Sequence, residues 1–460
     1  MTTRSATPEQ LLAHAAHAVE RTRAAGADVA DACLESSRAF TVSVLGGGIE
    51  TLKQSGTLGL GVRAIVGGAV GFCSGTDLSL QGIDDLARRA VALARFATPD
   101  PANGAPALEE AGAEEPGRAE SMNLFDPAAM ELSPEAKIDM ALDLERAALA
   151  ADPRIKRTDG ASVSSSSGAF AIVNSHGVAR AWEGTSVSAW VVALADDAGG
   201  KQQTGVYGMT KRHLADLPAM AGLGREASRR ALARVGARTV PTQRVPVIMH
   251  PDIAATWIAQ MYDAFTGESV LKRSSWLTDK LGQKVASALV TLIDDGALAG
   301  GLGTSPYDGE GLRTRRNVHI QDGVLQQFAY DHYSARRAGV NPTANGVRGF
   351  ASTPGTGYHN LYVAAGHTSP EDILRGVTKG FYYDDQGSFG YNPVTGDYSF
   401  QAQGFWIENG EKQFPVDGVT VAGNSLEMLQ HIVAVGSDLE FRTSVASPTL
   451  MIEAMTVSGS

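Results

Sequence analysis

Ten histidines are the sequence's candidate metal ligands, and their neighbours argue against a helical zinc site. Such a site needs two imidazoles aimed at one ion, with a carboxylate beside them as general base. Its signature is His-Glu followed by a second His about a turn later. None of the ten is followed by Glu. His14 and His17 share a helix face without a carboxylate and read as surface residues. His250 precedes Pro251-Asp252, at the end of an expected strand rather than on a helix face. His332, His359 and His367, with Asp331 nearby, are the best remaining set. They lie on expected strands or loops, so convergence there stays open beside the plainer reading of unrelated histidines.

Other chemistries find less support. No Gly-x-Ser-x-Gly elbow occurs, and Ser164 to Ser167 read as polar strand and turn. Cys33 and Cys73 sit in apolar surroundings, where cysteine acts as a small hydrophobe. Gly300-Gly301-Leu302-Gly303 lacks the Lys that completes a phosphate loop. Paired carboxylates occur at Asp294-Asp295 and in Asp308-Gly309-Glu310-Gly311. In the second, flanking glycines let two acids protrude near Arg313, Arg315 and Arg316. One reading is a turn with a local ion-pair network, worth little if exposed. The other is a role at an interface or in peptide binding.

The elements that must position these residues follow from period and punctuation. Thr7-Pro8-Glu9-Gln10 reads as a capping box opening a helix that Gly26 ends. Alternation at Phe40, Val42 and Val44 and at Leu58, Leu60 and Val62, with turns at Gly46 to Gly48 and Gly67-Gly68, predicts an antiparallel meander. A helix over 79–97 closes an N-terminal α+β domain, residues 1–98. Residues 99–121, rich in Pro and Glu (Glu114 and Pro116 among them), read as an exposed linker with too little apolar surface to order itself well. A central α+β domain spans 122–240, with helices to about Ala151 and over 218–235 and strands over 160–195. A β-rich domain spans 241–460, with helices over 251–265, 369–379 and 425–434. Asn409-Gly410 marks a type I′ hairpin. The fold class is α+β.

The chain's 460 residues are 43% hydrophobic, enough to bury a substantial core, and its 52 glycines are clustered, which suits strands and turns. A net charge of −11 disfavours nucleic acid. Two cysteines make no disulfide framework and suit a reducing compartment. No apolar run reaches the ~18 residues of a membrane span, and Met1 to Glu9 lacks a signal-peptide core. The expectation is a soluble cytoplasmic protein without nucleic-acid or membrane partners.

A series of blocks in order resembles the TldD/PmbA family. Ser305 to Gly311 (SPYDGEG) resembles its Pro-aromatic-Asp-x-Glu-Gly turn. Asn341 to Arg348 (NPTANGVR) is similar to its Thr-Gly-Asn-x-x-Arg segment, with Ala344 in place of Gly. Asn360-Leu361 with Gly366, Lys379 to Tyr382, Gly396 to Ser399, Gly404 to Glu411, Val419 to Asn424 and Ser447 to Leu450 follow. Gly59 to Phe72 resembles the family's glycine-bounded hairpin. The blocks span about 400 residues.

The resemblance carries expectations. TldD-like members are zinc proteases with His-Glu-x-x-x-His and a Cys ligand near the C-terminus; TldE-like members, also called PmbA, lack these ligands. By approximate alignment Ala259, Gln260 and Ala264 occupy the His, Glu and His places, and no Cys follows residue 73. The resemblance therefore implies the TldE/PmbA-like branch: no catalytic residue and no cofactor on this chain, zinc on a TldD-like partner, and unfolded peptides as substrates of the heteromeric complex. Asp308, Glu310, Asn345 and Arg348 are the interface or peptide-groove candidates. Two alternatives are a stand-alone enzyme of natural-product biosynthesis, with His332 or His359 as suspects, and a homodimeric peptide-binding or regulatory protein.

Overall fold

A computed structural model describes residues 6–113, 115, 117–388 and 390–459. Met1 to Ser5, Glu114 and Pro116, parts of the expected polar N-terminus and linker, lie outside the described residues.

The capping box forms: Gln10 N–H donates to Thr7 Oγ1 at 3.4 Å and Thr7 N–H to Gln10 Oε1 at 3.0 Å, opening α1 (Pro8–Ala24). The meander is β1 (Val29–Leu45), β2 (Gly48–Val66) and β3 (Ala69–Gly75), followed by α2 (Leu80–Ala94), shorter than 79–97. The middle block adds α3 (Pro134–Leu149), β4 (Ile155–Asn174), β5 (Ala179–Asp196), β6 (Gln202–Lys211) and α4 (Met220–Ala233). Both blocks build one antiparallel sheet, ordered β3-β2-β1-β4-β5-β6 and joined where β1 pairs with β4.

Strand alternation sorts this sheet into two faces. Ala30, Ala32, Leu34, Val42 and Val44 are buried among the helices on one face. Asp31, Cys33, Glu35 and Ser37 point the other way, toward the C-terminal block. Two glycines set the depth of helix packing. A Cβ on Gly71 would lie 2.0 Å from the Ala90 carbonyl oxygen, and one on Gly205 2.1 Å from that of Ala227. The helix backbones therefore rest directly on the strands.

The Pro- and Glu-rich crossing is not the weakly ordered strap its composition suggests. Ala102, Ala105 and Ala111 are buried, and side chains from all three blocks hold its carbonyls. Arg336 donates to Pro101 O at 2.7 Å, Arg63 to Gly104 O at 3.0 Å and Asn174 to Pro106 O at 2.9 Å. Within the crossing, Arg118 donates back to Pro306 O and Thr314 O. Composition misleads here because the order comes from its neighbours.

The C-terminal block opens with β7 (Gln243–Met249) and α5 (Pro251–Met261), which tightens into a 3₁₀ turn over Tyr262–Phe265. A smaller sheet holds β8 (Leu292–Asp295), β9 (Arg316–Gln321) and β10 (Leu361–Val363). The larger one places β7 at its centre, in the order β13-β12-β11-β7-β15-β14: β11 (Lys379–Gln386), β12 (Asp397–Glu408), β13 (Glu411–Asn424), β14 (Ile432–Val435) and β15 (Leu450–Ser458). The helices expected over 369–379 and 425–434 shorten to Pro370–Arg375 and Ser425–Gln430, because Lys379 and Ile432 begin strands of this sheet. Asn409 (φ +50°) and Gly410 (φ +78°) make the β12–β13 hairpin turn.

Candidate functional site

His250 caps α5, its Nδ1 accepting from the Asp252 N–H at 3.2 Å, and Pro251 fills the first turn. The helix then divides by face. Ile253, Ala254, Trp257, Ile258 and Met261 are buried, and the Trp257 Nε1–H donates to Ser425 Oγ at 3.0 Å. The other face, with Pro251, Asp252, Ala255, Thr256 and Ala259, lines a cavity of about 740 Å³. Its other walls are the open edge of β6, α4, the end of β11 and the segment from Asp438 to Ser447.

The cavity's three arginines are all ion-paired. Arg230 Nη1 lies 3.1 Å from Asp252 Oδ2, and Arg442 pairs with the other Asp252 oxygen. Arg234 bridges Asp385 at 2.6 Å and Asp384 at 3.3 Å. Burial pushes the His250 imidazole down to about 4, so it is neutral at pH 7. Burial opposes ionisation of Asp384, but His250, Arg234 and Lys412 together hold its carboxyl below the usual range. Among the described residues no three His, Cys, Asp or Glu side chains converge to hold a metal. The cavity offers a small-residue floor, an open strand edge and an excess of acid, since Asp438 and Glu440 join the three ion-paired aspartates.

Of the three positions that the approximate alignment sets against the family's zinc motif, Ala259 alone lines this cavity. Gln260 Oε1 is buried without a hydrogen-bond partner among the described residues, and Ala264 packs into the core.

Asp308, Glu310 and Arg348 meet in a buried polar joint between the first sheet and the C-terminal block. Asp308 accepts from the N–H groups of Glu310, Leu312 and Gly346, each at 2.9 Å. Glu310 Oε2 accepts from the His332 N–H at 2.7 Å, and Arg63 Nη2 lies 3.9 Å from its other oxygen. Asp31 takes Arg63 Nε at 2.6 Å and Arg348 Nη1 at 2.5 Å, while Arg348 Nε and Nη2 make no hydrogen bond among the described residues. Burial pushes the Asp308 carboxyl up to about 6 and that of Glu310 up to about 8. The acids are thus held by Arg63 and by backbone, not by the nearby arginines: Arg313 pairs with Glu115 and Arg315 reaches Pro342 O. Asn345 sits apart in a second cluster, donating to Asp294 Oδ2 at 2.6 Å and Gly357 O at 2.9 Å.

Asp308 and Arg348 also line a cavity of about 590 Å³ between the outer face of the first sheet and loops of the C-terminal block, with Ser37, Ser166, Phe170, Trp182 and Tyr307. The remaining suspects disperse. His359 Nε2 meets Ala344 O at 3.0 Å, His332 Nε2 lies 3.4 Å from Glu110, and His367 is exposed. Both cysteines are free, and burial pushes both thiols up, which makes them poor nucleophiles. Sequence reasoning missed Asp31, Arg63, Arg230 and Arg442. Only the Asp31–Arg63 pairing had a signal: counting back along the hairpin from its glycine turn brings the two nearly opposite.

Comparisons with known proteins agree along the whole chain. Models of the PmbA/TldA metallopeptidase match as domain 1 over residues 30–94, the central domain over 130–235 and the C-terminal domain over 242–459. The chain is 32% identical over 432 residues to "Metalloprotease PmbA" of Escherichia coli O157:H7, covering 94% of this chain and 92% of that one. It is 28% identical over 438 residues to "Metalloprotease TldD homolog" of Haemophilus influenzae, covering 87% and 86%. A crystal structure from Bacteroides thetaiotaomicron superposes with a TM-score of 0.89 at 25% identity, covering 97% and 98%. TldE from Thermococcus kodakarensis has the same fold, with a TM-score of 0.86 at 23% identity, covering 96% and 99%. The chain belongs to the PmbA/TldD metallopeptidase family.

Proposed function

We propose that this chain is the non-catalytic, TldE/PmbA-like subunit of a heteromeric metallopeptidase that processes or degrades unfolded peptides, with zinc and general base supplied by a TldD-like partner. The carrying observation is the cavity face of α5. A His-Glu-x-x-x-His spacing with all three side chains in that cavity falls on His250, Pro251 and Ala255 or on Pro251, Asp252 and Thr256, and neither set offers two imidazoles. Proline and threonine are not zinc ligands of this kind, and Asp252 is committed to Arg230 and Arg442. The donor set does not fit zinc, and the same holds with the motif placed at Ala259, Gln260 and Ala264. The alanines and the open β6 edge leave room for an extended main chain, which strand edges bind with little side-chain selectivity.

The complex works on this reading in the cytoplasm. No helix among the described residues is long and apolar enough to cross a membrane. The test is native mass analysis with zinc determination on this chain, on the TldD-like subunit and on their mixture. The expected result is one zinc per heterodimer, none on this chain alone, and cleavage of an unfolded peptide only by the mixture. Stoichiometric zinc and peptide cleavage by this chain alone would overturn it.

A further inference from the structure

Halfway along its length β2 loses one neighbour. From Leu60 to Val66 it lies between β1 and β3; from Gly48 to Gly59 it pairs with β1 only. All eleven residues from Gly48 to Leu58 are exposed, with Ile49 and Leu52 each 52% accessible and Leu58 39%. Leu52, Leu58 and Ile49, which pairs with buried Val44 across a bulge, share the helix-bearing face; on the other face Phe350 covers Gly59 and Gly61. At ~3.4 Å per residue this is an edge of roughly 37 Å whose outward N–H and C=O groups have no strand partner among the described residues.

Folded proteins normally blunt such an edge with proline, inward charge or a bulge. This stretch has no proline, one Glu and one Lys; its single bulge, between Ile49 and Thr51, sits beside the hairpin tip, and the register to β1 runs unbroken from Thr51. It is also a rigid template. Glu145 of α3 accepts the Gly46 and Gly47 N–H groups, each at 2.8 Å, and so pins the hairpin tip. An edge that is long, uncharged overall, flanked by exposed apolar side chains on one face and preorganised is built to be paired.

We infer that Gly48–Leu58 of β2 is the seam at which the TldD-like subunit docks, adding its own edge strand to extend the sheet across both subunits. This rests on the proposed heteromeric function. A passing peptide would satisfy the edge but leave Ile49, Leu52 and Leu58 bare on the helix-bearing face; a folded subunit covers the edge and that face together. Relatives named for both branches match this chain over most of their length, so a TldD-like subunit should carry the equivalent hairpin.

The experiment compares the unaltered chain with the double variant Ile49→Lys, Leu52→Lys, each alone and with the TldD-like subunit from the same genome. Light scattering reads assembly and hydrogen exchange reads the β2 amides. Both substituted side chains are exposed, so thermal melting of the free chain should be unchanged. The expected result is that amides within 48–58 slow at least ~10-fold in the complex and that the variant needs at least ~10-fold more partner to assemble. Equal exchange in the free and complexed chain, or a variant that assembles as well as the unaltered one, overturns the seam. Protection of the same amides by self-association or by an unfolded peptide, without further change on adding the TldD-like subunit, overturns the choice of occupant. Failure of the unaltered chains to associate at all overturns the heteromeric reading and this inference with it.

Discussion

Replacing Glu310 by glutamine should remove a fall in stability between about pH 6.5 and 8, above the unfolded titration of the depressed His250 and below the folded titration of the depressed Lys412. Glu310 is 4% exposed, and its charge partner Arg63 stands off at 3.9 Å. Burial is the main cause that lifts its carboxyl from 4.5 to about 8, and Asp308 and Asp331 add repulsion. Asp308 is lifted as well, so the two titrate as a pair. The folded state then keeps a proton that the unfolded chain releases above about pH 4.5, and stability falls as pH rises through that window. The gap from 4.5 to about 8 sets a ceiling of ~5 kcal/mol at ~1.4 kcal/mol per pH unit. Relaxation around the ionised pair should reduce this to about 2–3 kcal/mol. Burial disfavours the ionised Asp31 too, but Arg63 and Arg348 hold its carboxyl below the usual range; its stabilisation is lost only on acidification below about pH 4, outside this window. The amide oxygen of the variant side chain would still accept the His332 N–H that Glu310 accepts. The assay is urea denaturation read by tryptophan fluorescence across the pH range. The unaltered chain should weaken from pH 6.5 to 8, and Glu310→Gln should be flatter over that range and more stable at its upper end. A wild-type midpoint that rises or stays level with pH, or the same slope in both proteins, would refute the reasoning.

Two further outcomes test the packing that positions the site. Gly71→Ala puts a Cβ 2.0 Å from Ala90 O and 2.4 Å from Ala94 N, backbone atoms that cannot yield without moving α2; a loss of ~3 kcal/mol is expected, and an unchanged melting temperature would show that α2 does not rest on that strand. Arg118→Ala strands the carbonyls of Pro306 and Thr314, each worth ~1.5–3 kcal/mol as a bond to a charged donor. Limited proteolysis within 99–121 should then speed up severalfold, and equal cleavage rates would mean the crossing is held elsewhere.

Local patterns that act through the backbone were legible in the sequence. The Thr7–Gln10 cap, the β1–β2 hairpin around Gly46-Gly47 and the Asn409-Gly410 turn need only neighbouring residues, and all form. The joining of the first and middle blocks was not legible, because the pairing of β1 with β4 closes over more than a hundred residues and small alternating side chains fit many registers. The same limit applied at the site. Arg230, Asp252 and Arg442 come from three separated segments, and nothing local marks them as one cluster. Asp308 and Glu310 stood out by composition, but their burial was invisible: the arginine that approaches Glu310 lies on β2, not in the basic run beside it.

The persistence of α5 follows from its two faces. Trp257, Ile258 and Met261 fill the core beneath β7 and β11, so truncating any of them would open a cavity costing several kcal/mol. The cavity face carries no such constraint, because alanine, threonine or a zinc ligand there changes little packing. A helix of this kind can therefore lose its chemistry without losing its place. What remains is Asp252, fixed between Arg230 of α4 and Arg442 of the C-terminal segment. That pairing links the cavity's walls: it draws the two arginines to the helix N-terminus, where an acid is favoured by the helix dipole. The cavity keeps its shape by ion pairing within the chain, an arrangement that suits the proposed role of a subunit lending walls but no metal to a shared chamber.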